Sequence, residues 1–218
     1  MRTFLKNNGL CICFFVLFII SFAGQIILGF KEHNKELLDE GVKTISMSSY
    51  FLSGHFYEST FENWESEFLQ MALFVVLTIS LKQKGSSESK KIDEPEEVDR
   101  EPDPSKKDAP WPVKKGGLIL KIYKHSLTIA LLLLFLISFI IHFFGSLKDE
   151  NEQLLRKGKP LETISSYILD SRFWFESFQN WQSEFLSVFA IVLLSIYLRQ
   201  IGSSQSKPVD AAHMETGG

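Results

Sequence analysis

Two glutamates, Glu67 and Glu184, stand at the entrance of stretches that carry no further charge: Phe68–Leu81 and Phe185–Leu198 are 14 residues each without Asp, Glu, Lys or Arg. Each follows an almost identical motif, FENWESEFL at Phe61–Leu69 and FQNWQSEFL at Phe178–Leu186. At about 100° per residue, Asn63, Glu67, Gln70 and Thr78 fall on one side of a helix, and Phe61, Trp64 and Phe68 on the other. The second copy repeats the arrangement with Asn180, Glu184, Ser187 and Ser195 against Phe178, Trp181 and Phe185. Carboxylates drawn into an apolar helix are costly unless they face water, a partner or a bundle interior. With Gln25 and His142, the paired glutamates and Asn63 and Asn180 would make an outward-facing polar site for a cation, a proton or a small solute. The same residues suit a plainer role, in which Asn63/Glu67 and Asn180/Glu184 hydrogen-bond helices near a membrane surface. The aromatic face, with Trp64, Trp181, Phe61 and Phe178, reads as an interfacial belt, since these rings are apolar at one end and polar at the other.

No other chemistry is legible. Cys11 and Cys13 point to different sides of a helix, and two cysteines cannot complete a zinc site or a disulfide framework. His33, His55, His125 and His213 show no metal-ligand spacing, and no phosphate-binding loop, zinc-protease or serine-nucleophile motif is present. The expectation is therefore no catalytic residue, no metal and no cofactor. A net charge of -3 excludes a generally basic nucleic-acid binder.

The elements that must carry these residues follow from where charges are missing. The 24 residues between Lys6 and Lys31 and the 23 between Lys124 and Lys148 carry no Asp, Glu, Lys or Arg. A bilayer core of about 30 Å needs about 20 apolar residues in a helix. Both runs suffice. The two 14-residue runs reach only about 21 Å, so a full crossing must recruit the Asn-Trp motif before them, with Lys82 and Arg199 snorkelling at the inner end. The expected fold is all-α and integral to a membrane, with four transmembrane helices.

A shift of 117 residues superposes the chain on itself without a gap: 34 of 81 pairs between positions 10 and 90 are identical. The chain is a duplication. Two spans per copy return it to its starting side, so the copies form two helix-hairpin repeats of parallel orientation. The first repeat covers residues 1–84, with spans of about 9–30 and 62–82. The second covers 118–207, with spans of about 126–146 and 179–199. Between them, 85–117 is a linker of mixed charge holding Pro95, Pro102, Pro104, Pro110 and Pro112, and 208–218 is a tail expected to be disordered. The linker segment Lys82–Lys124 carries eleven Lys or Arg, which places it and both termini in the cytoplasm. The polar pieces KEHNKELLDEG and KDENEQLLRKG read as short surface helices followed by interfacial segments.

At LSGHFYESTFENWESEFLQM, APWPVKKGG and SRFWFESFQNWQSEFLSV the chain resembles a family of small bacterial integral membrane proteins, a domain of unknown function. The resemblance covers nearly the whole chain, including the linker and the tail around His213–Gly217. It implies a protein of the bacterial inner (plasma) membrane and no particular activity. The functional expectation is a non-enzymatic membrane scaffold or interaction protein. The alternative is a small ion or solute channel or transporter-like bundle using the outward-facing polar site. An enzyme would have only Glu67, Glu184 and His142 to work with. Expected partners are the lipid bilayer and a second copy or other membrane proteins, not nucleic acid.

Overall fold

The first charge-free run lies inside α1 (Arg2–Asp39), and the second inside α6 (Ser126–Arg156). A computed structural model describes residues 2–217, the side chain of Arg2 excepted. Among the described residues the regular secondary structure is entirely helical. Two helices, α1 and α6, are long and apolar enough to cross a membrane. The apolar run of α1 is not buried anywhere in the chain, and 17% of that of α6 is. Phe14, Phe15, Ile20 and Leu28 on α1, and Leu127, Leu133 and Ile137 on α6, are exposed.

The polar pieces after these runs are not separate surface helices, contrary to the reading from sequence. They continue α1 and α6 without a break. No Pro or Gly interrupts KEHNKELLD or KDENEQLLR, and Glu, Lys, Leu and Gln are strong helix formers. The helices stop at glycines in the left-handed region, Gly41 (φ 75°) and Gly158 (φ 64°). There the two-bond closure typical of such ends appears twice. Gly41 N donates to Leu38 O at 2.9 Å and Val42 N to Leu37 O at 2.7 Å; Gly158 N donates to Leu155 O at 3.1 Å and Lys159 N to Leu154 O at 2.9 Å.

Each loop is then pinned back to the helix it left. The Asn34 side chain accepts from Ile45 N at 2.7 Å and donates to Ile45 O at 3.2 Å. Its repeat partner Asn151 does the same to Glu162 N and O at 2.7 and 3.1 Å. A hydroxyl cap follows in each copy: Ser46 for α2 (Met47–Tyr50) and Thr163 for α7 (Ile164–Tyr167). These turns deliver Tyr50 and Tyr167 to buried positions. The second long helix of each repeat then begins, α3 at Gly54–Ser80 and α8 at Ser171–Tyr197. Both start well before the Asn-Trp motif, because Asp170 caps Arg172 N in α8 and Gly54 opens α3 at a point of close approach.

The chain divides into two units, Met1–Thr60 with Ile141–Leu169, and Phe61–Ile140 with Asp170–Gly218. In the first, a Cβ at Gly54 would collide with the Asp149 backbone, and one at Gly145 would stand 2.7 Å from Glu58 N. These glycines let α6 and the start of α3 pack backbone to backbone. In the second, the linker forms a 3-10 turn (Glu97–Asp99), α4 (Trp111–Lys115) and α5 (Gly117–Lys124). The segment after Lys207, expected to be disordered, is held by hydrogen bonds. Lys207 Nζ donates to the carbonyls of Ala212, His213 and Glu215 at 3.2, 2.8 and 2.8 Å. Gly85 N donates to Thr216 Oγ1 at 2.9 Å, and Gly217 N to Ser86 O at 3.0 Å. Burial and the neighbouring Arg199 push the Lys207 ammonium down from the ordinary lysine range, while the three carbonyls hold its proton.

If the close approach at Gly145 is needed, Gly145→Ala lowers stability by about 1–3 kcal/mol, the usual cost of overpacking. Gly24→Ala is the control, because a Cβ there meets nothing within 4 Å. Thermal unfolding of the detergent-solubilised protein should show a lowered midpoint for the first variant alone; equal midpoints would defeat the account.

Candidate functional site

Of the residues singled out from sequence, Gln25 and His142 belong to the first unit, and Asn63, Asn180, Glu67, Glu184, Trp64, Trp181, Phe61 and Phe178 to the second. In the first, Gln25 Nε2 donates to Ser59 O at 3.0 Å and to Thr60 Oγ1 at 3.3 Å, which ties α1 to the first turns of α3. His142 is fully buried.

In the second unit the polar stripes of α3 and α8 meet. Gln70 Nε2 donates to Ser187 Oγ at 3.0 Å and to Glu184 O at 3.1 Å. Gln70 and Ser187 are equivalent positions of the two repeats. A bond between them means that the same face of the same helix is used twice, turned toward itself. Asn180 Nδ2 adds a bond to Glu62 Oε1 at 3.0 Å and one to its own helix at Glu176 O, 3.1 Å. Glu67 and Asn63 are exposed, and Glu184 is half-buried. Further along, Thr78 bonds back to Phe74 O at 2.8 Å, and Ser195 Oγ meets Ser86 Oγ of the linker at 2.9 Å. Gln70, Asn180, Thr78 and Ser195 of the stripe are thus engaged by bonds to other segments and within their own helices.

The fully buried carboxylate of this unit is Glu65, which the helical wheel does not select. It lies on the aromatic side of α3, where Trp181 Nε1 donates to Glu65 Oε1 at 3.0 Å. The available signal is the tryptophan itself, because a partly buried indole N–H needs an acceptor. Phe61 stacks edge-on to Trp64 at 5.1 Å, and Phe178 to Trp181 at 5.4 Å, the same pair in each repeat. The aromatic motif therefore builds the same ring contact in each repeat.

Chemically, these bonds are positioning contacts, two of them to the carboxylates of Glu62 and Glu65. The residues of this unit form an interlock of α3 and α8, with Glu67 exposed. In the first unit, His33, Glu36 and His55 offer ligand atoms all within 4.8 Å of one another, close enough to share a metal ion.

A double-mutant cycle with Glu65→Ala and Trp181→Phe should give a coupling energy of about 1–3 kcal/mol in thermal or denaturant unfolding. Strict additivity would show that the indole bond contributes nothing.

Comparison with known proteins adds one finding. No curated protein and no solved structure matches the chain. The family model described as Domain of unknown function (DUF6766) matches residues 1–218. The duplicated helical chain belongs to that family.

Proposed function

We propose that this is a four-span membrane protein, two parallel-oriented hairpin repeats in a bacterial inner membrane, acting as a non-enzymatic scaffold for other membrane proteins or for a second copy of itself. The observation that carries the reading is the uncovered apolar surface of α1, whose most apolar stretch has no buried residue. Exposed apolar area on that scale marks a lipid or protein contact. Helices α3 and α8 present similar, shorter surfaces through Met71, Val76, Leu77 and Ile79, and through Phe185, Leu186, Phe189 and Leu193. In this reading they cross as well, with the Asn-Trp motif in the outer boundary and Lys82 and Arg199 at the inner one.

The scaffold reading is preferred to a channel because the polar stripe does not lead anywhere. Gln70 is engaged by Ser187 and Glu184, and Thr78 by its own helix. Between those positions α3 and α8 are Met, Ala, Leu, Phe, Val and Ile. Such a seam suits helix association, where buried polar contacts each contribute about 0.6 kcal/mol.

Two measurements test this. In a variant with Cys11 and Cys13 replaced by Ser, Ser105→Cys should resist a membrane-impermeant thiol reagent in intact cells and react after permeabilisation, while Lys43→Cys reacts in intact cells. The reverse pattern would overturn the orientation. Purified protein in liposomes should leave ion and proton gradients intact; a protein-dependent leak abolished by Glu184→Gln would favour a channel instead.

A further inference from the structure

The end of α1 and the start of α3 carry three metal-ligating side chains that the polar stripe does not use. His33 and Glu36 lie at i and i+3, side by side on α1. His55 is the second residue of α3. Their ligand atoms all lie within 4.8 Å of one another. The rings of His33 and His55 are 4.9 Å apart. His33 Nδ1 faces Glu36 Oε2 at 3.7 Å, beyond hydrogen-bond reach. Ligand atoms around a tetrahedral ion with bonds of about 2.0 Å are separated by about 3.3 Å, so modest closure of this cluster would suffice.

Three observations point past an ordinary packing role. First, His33 is 4% exposed, and its Nδ1 is buried without a hydrogen-bond partner. An orphaned buried nitrogen is costly unless something else satisfies it. It is aimed into the cluster. Second, Tyr50, itself 1% exposed, holds His55 Nδ1 through its hydroxyl at 3.3 Å. A ring anchored by one nitrogen is the usual companion of a metal-binding histidine. Third, the second repeat builds the same turn without these residues. Glu150, Gln153 and Arg172 occupy the equivalent positions, while Asn151, the Thr163 cap and Tyr167 keep the local architecture. The turn itself does not require histidine.

We propose that His33, Glu36 and His55 bind one first-row divalent metal ion of the zinc class, clipping the end of α1 to the first turn of α3. Two imidazoles and one carboxylate suit zinc and its neighbours over calcium or magnesium, which favour all-oxygen sites. Three protein ligands leave one position for water or an external donor. The site is independent of which way the chain faces and of the scaffold reading.

The test uses the tag-free full chain in detergent, stripped with a chelator and titrated with Zn²⁺, with retained metal counted after desalting. The expected result is one zinc per chain and a raised thermal midpoint on addition, since a ligand that binds only the folded state stabilises it. Co²⁺ should give the visible absorption of a low-symmetry nitrogen–oxygen site. Glu36→Gln and His55→Ala should each weaken zinc binding about tenfold or more and abolish the thermal shift, with helix content by circular dichroism unchanged. His125→Ala, at an exposed position elsewhere, should bind as the natural chain does. No retained zinc, or zinc bound equally well by Glu36→Gln and His55→Ala, would overturn the proposal.

Discussion

A buried tyrosine sets the geometry of each repeat. A long helix leaves its apolar run, ends at a glycine, and is followed by a turn that leads into a second long helix. The inward residue of this turn is Tyr50 in one copy and Tyr167 in the other, both essentially inaccessible. Burying a tyrosine removes much apolar area from water but obliges its hydroxyl to find a partner. Tyr167 finds Ser146 Oγ at 2.6 Å, on the helix just left. In the first copy the position equivalent to Ser146 is Gly29, where a Cβ would collide with the Tyr50 hydroxyl. There the Tyr50 hydroxyl meets His55 Nδ1 at 3.3 Å. Two exchanges go together here: Gly29 stands where the second copy has Ser146, and His55, beside His33, where it has Arg172.

Around that anchor the supporting contacts are the same twice. The asparagine that grips the loop backbone, the hydroxyl that caps the short helix and the glycine that ends the long one recur at a spacing of 117. They are local contacts, closed within a dozen residues or so, and each satisfies backbone groups that a helix end would otherwise leave open. The longer-range consequence is the meeting of Gln70 with Ser187 in the second unit. Helices that begin from equivalent turns present equivalent faces, so the two copies interlock through corresponding positions.

These relations were unevenly legible in the sequence. The charge-free runs announce α1 and α6, because nothing else in a chain of this length stays uncharged on every face of a helix for so long. The repeat announces that α3 and α8 resemble each other. The polar pieces were harder: a change from apolar to charged residues marks where a helix leaves one environment, not where its backbone ends, and the backbone runs on to Asp39 and Arg156. Glu65 was hidden for a related reason. A wheel sorts residues by face, but it does not say which face a second helix will cover. Glu67, on the polar side, is exposed, and Glu65, among aromatic residues, is buried against an indole N–H. The expected tail looked too polar to hold a structure, and by itself it is; what holds it is Lys207, whose ammonium gathers three carbonyls.

The differences between the copies carry more about function than their likenesses. Likeness follows from the shared turn, which any functional role would need. Difference shows where one copy has been freed from that need. At positions 33, 36 and 55 the first repeat has two imidazoles and a carboxylate drawn together. The second has Glu150, Gln153 and Arg172, and Arg172 Nε pairs with Glu176 Oε1 at 2.8 Å. An arginine one helical turn from a glutamate satisfies itself within its own helix. A buried histidine with an open nitrogen does not, and it keeps its cost until something outside the chain meets it. At this turn the duplicated scaffold is therefore asymmetric in chemistry though alike in backbone, and the copy with the open His33 nitrogen is where a ligand has something to gain.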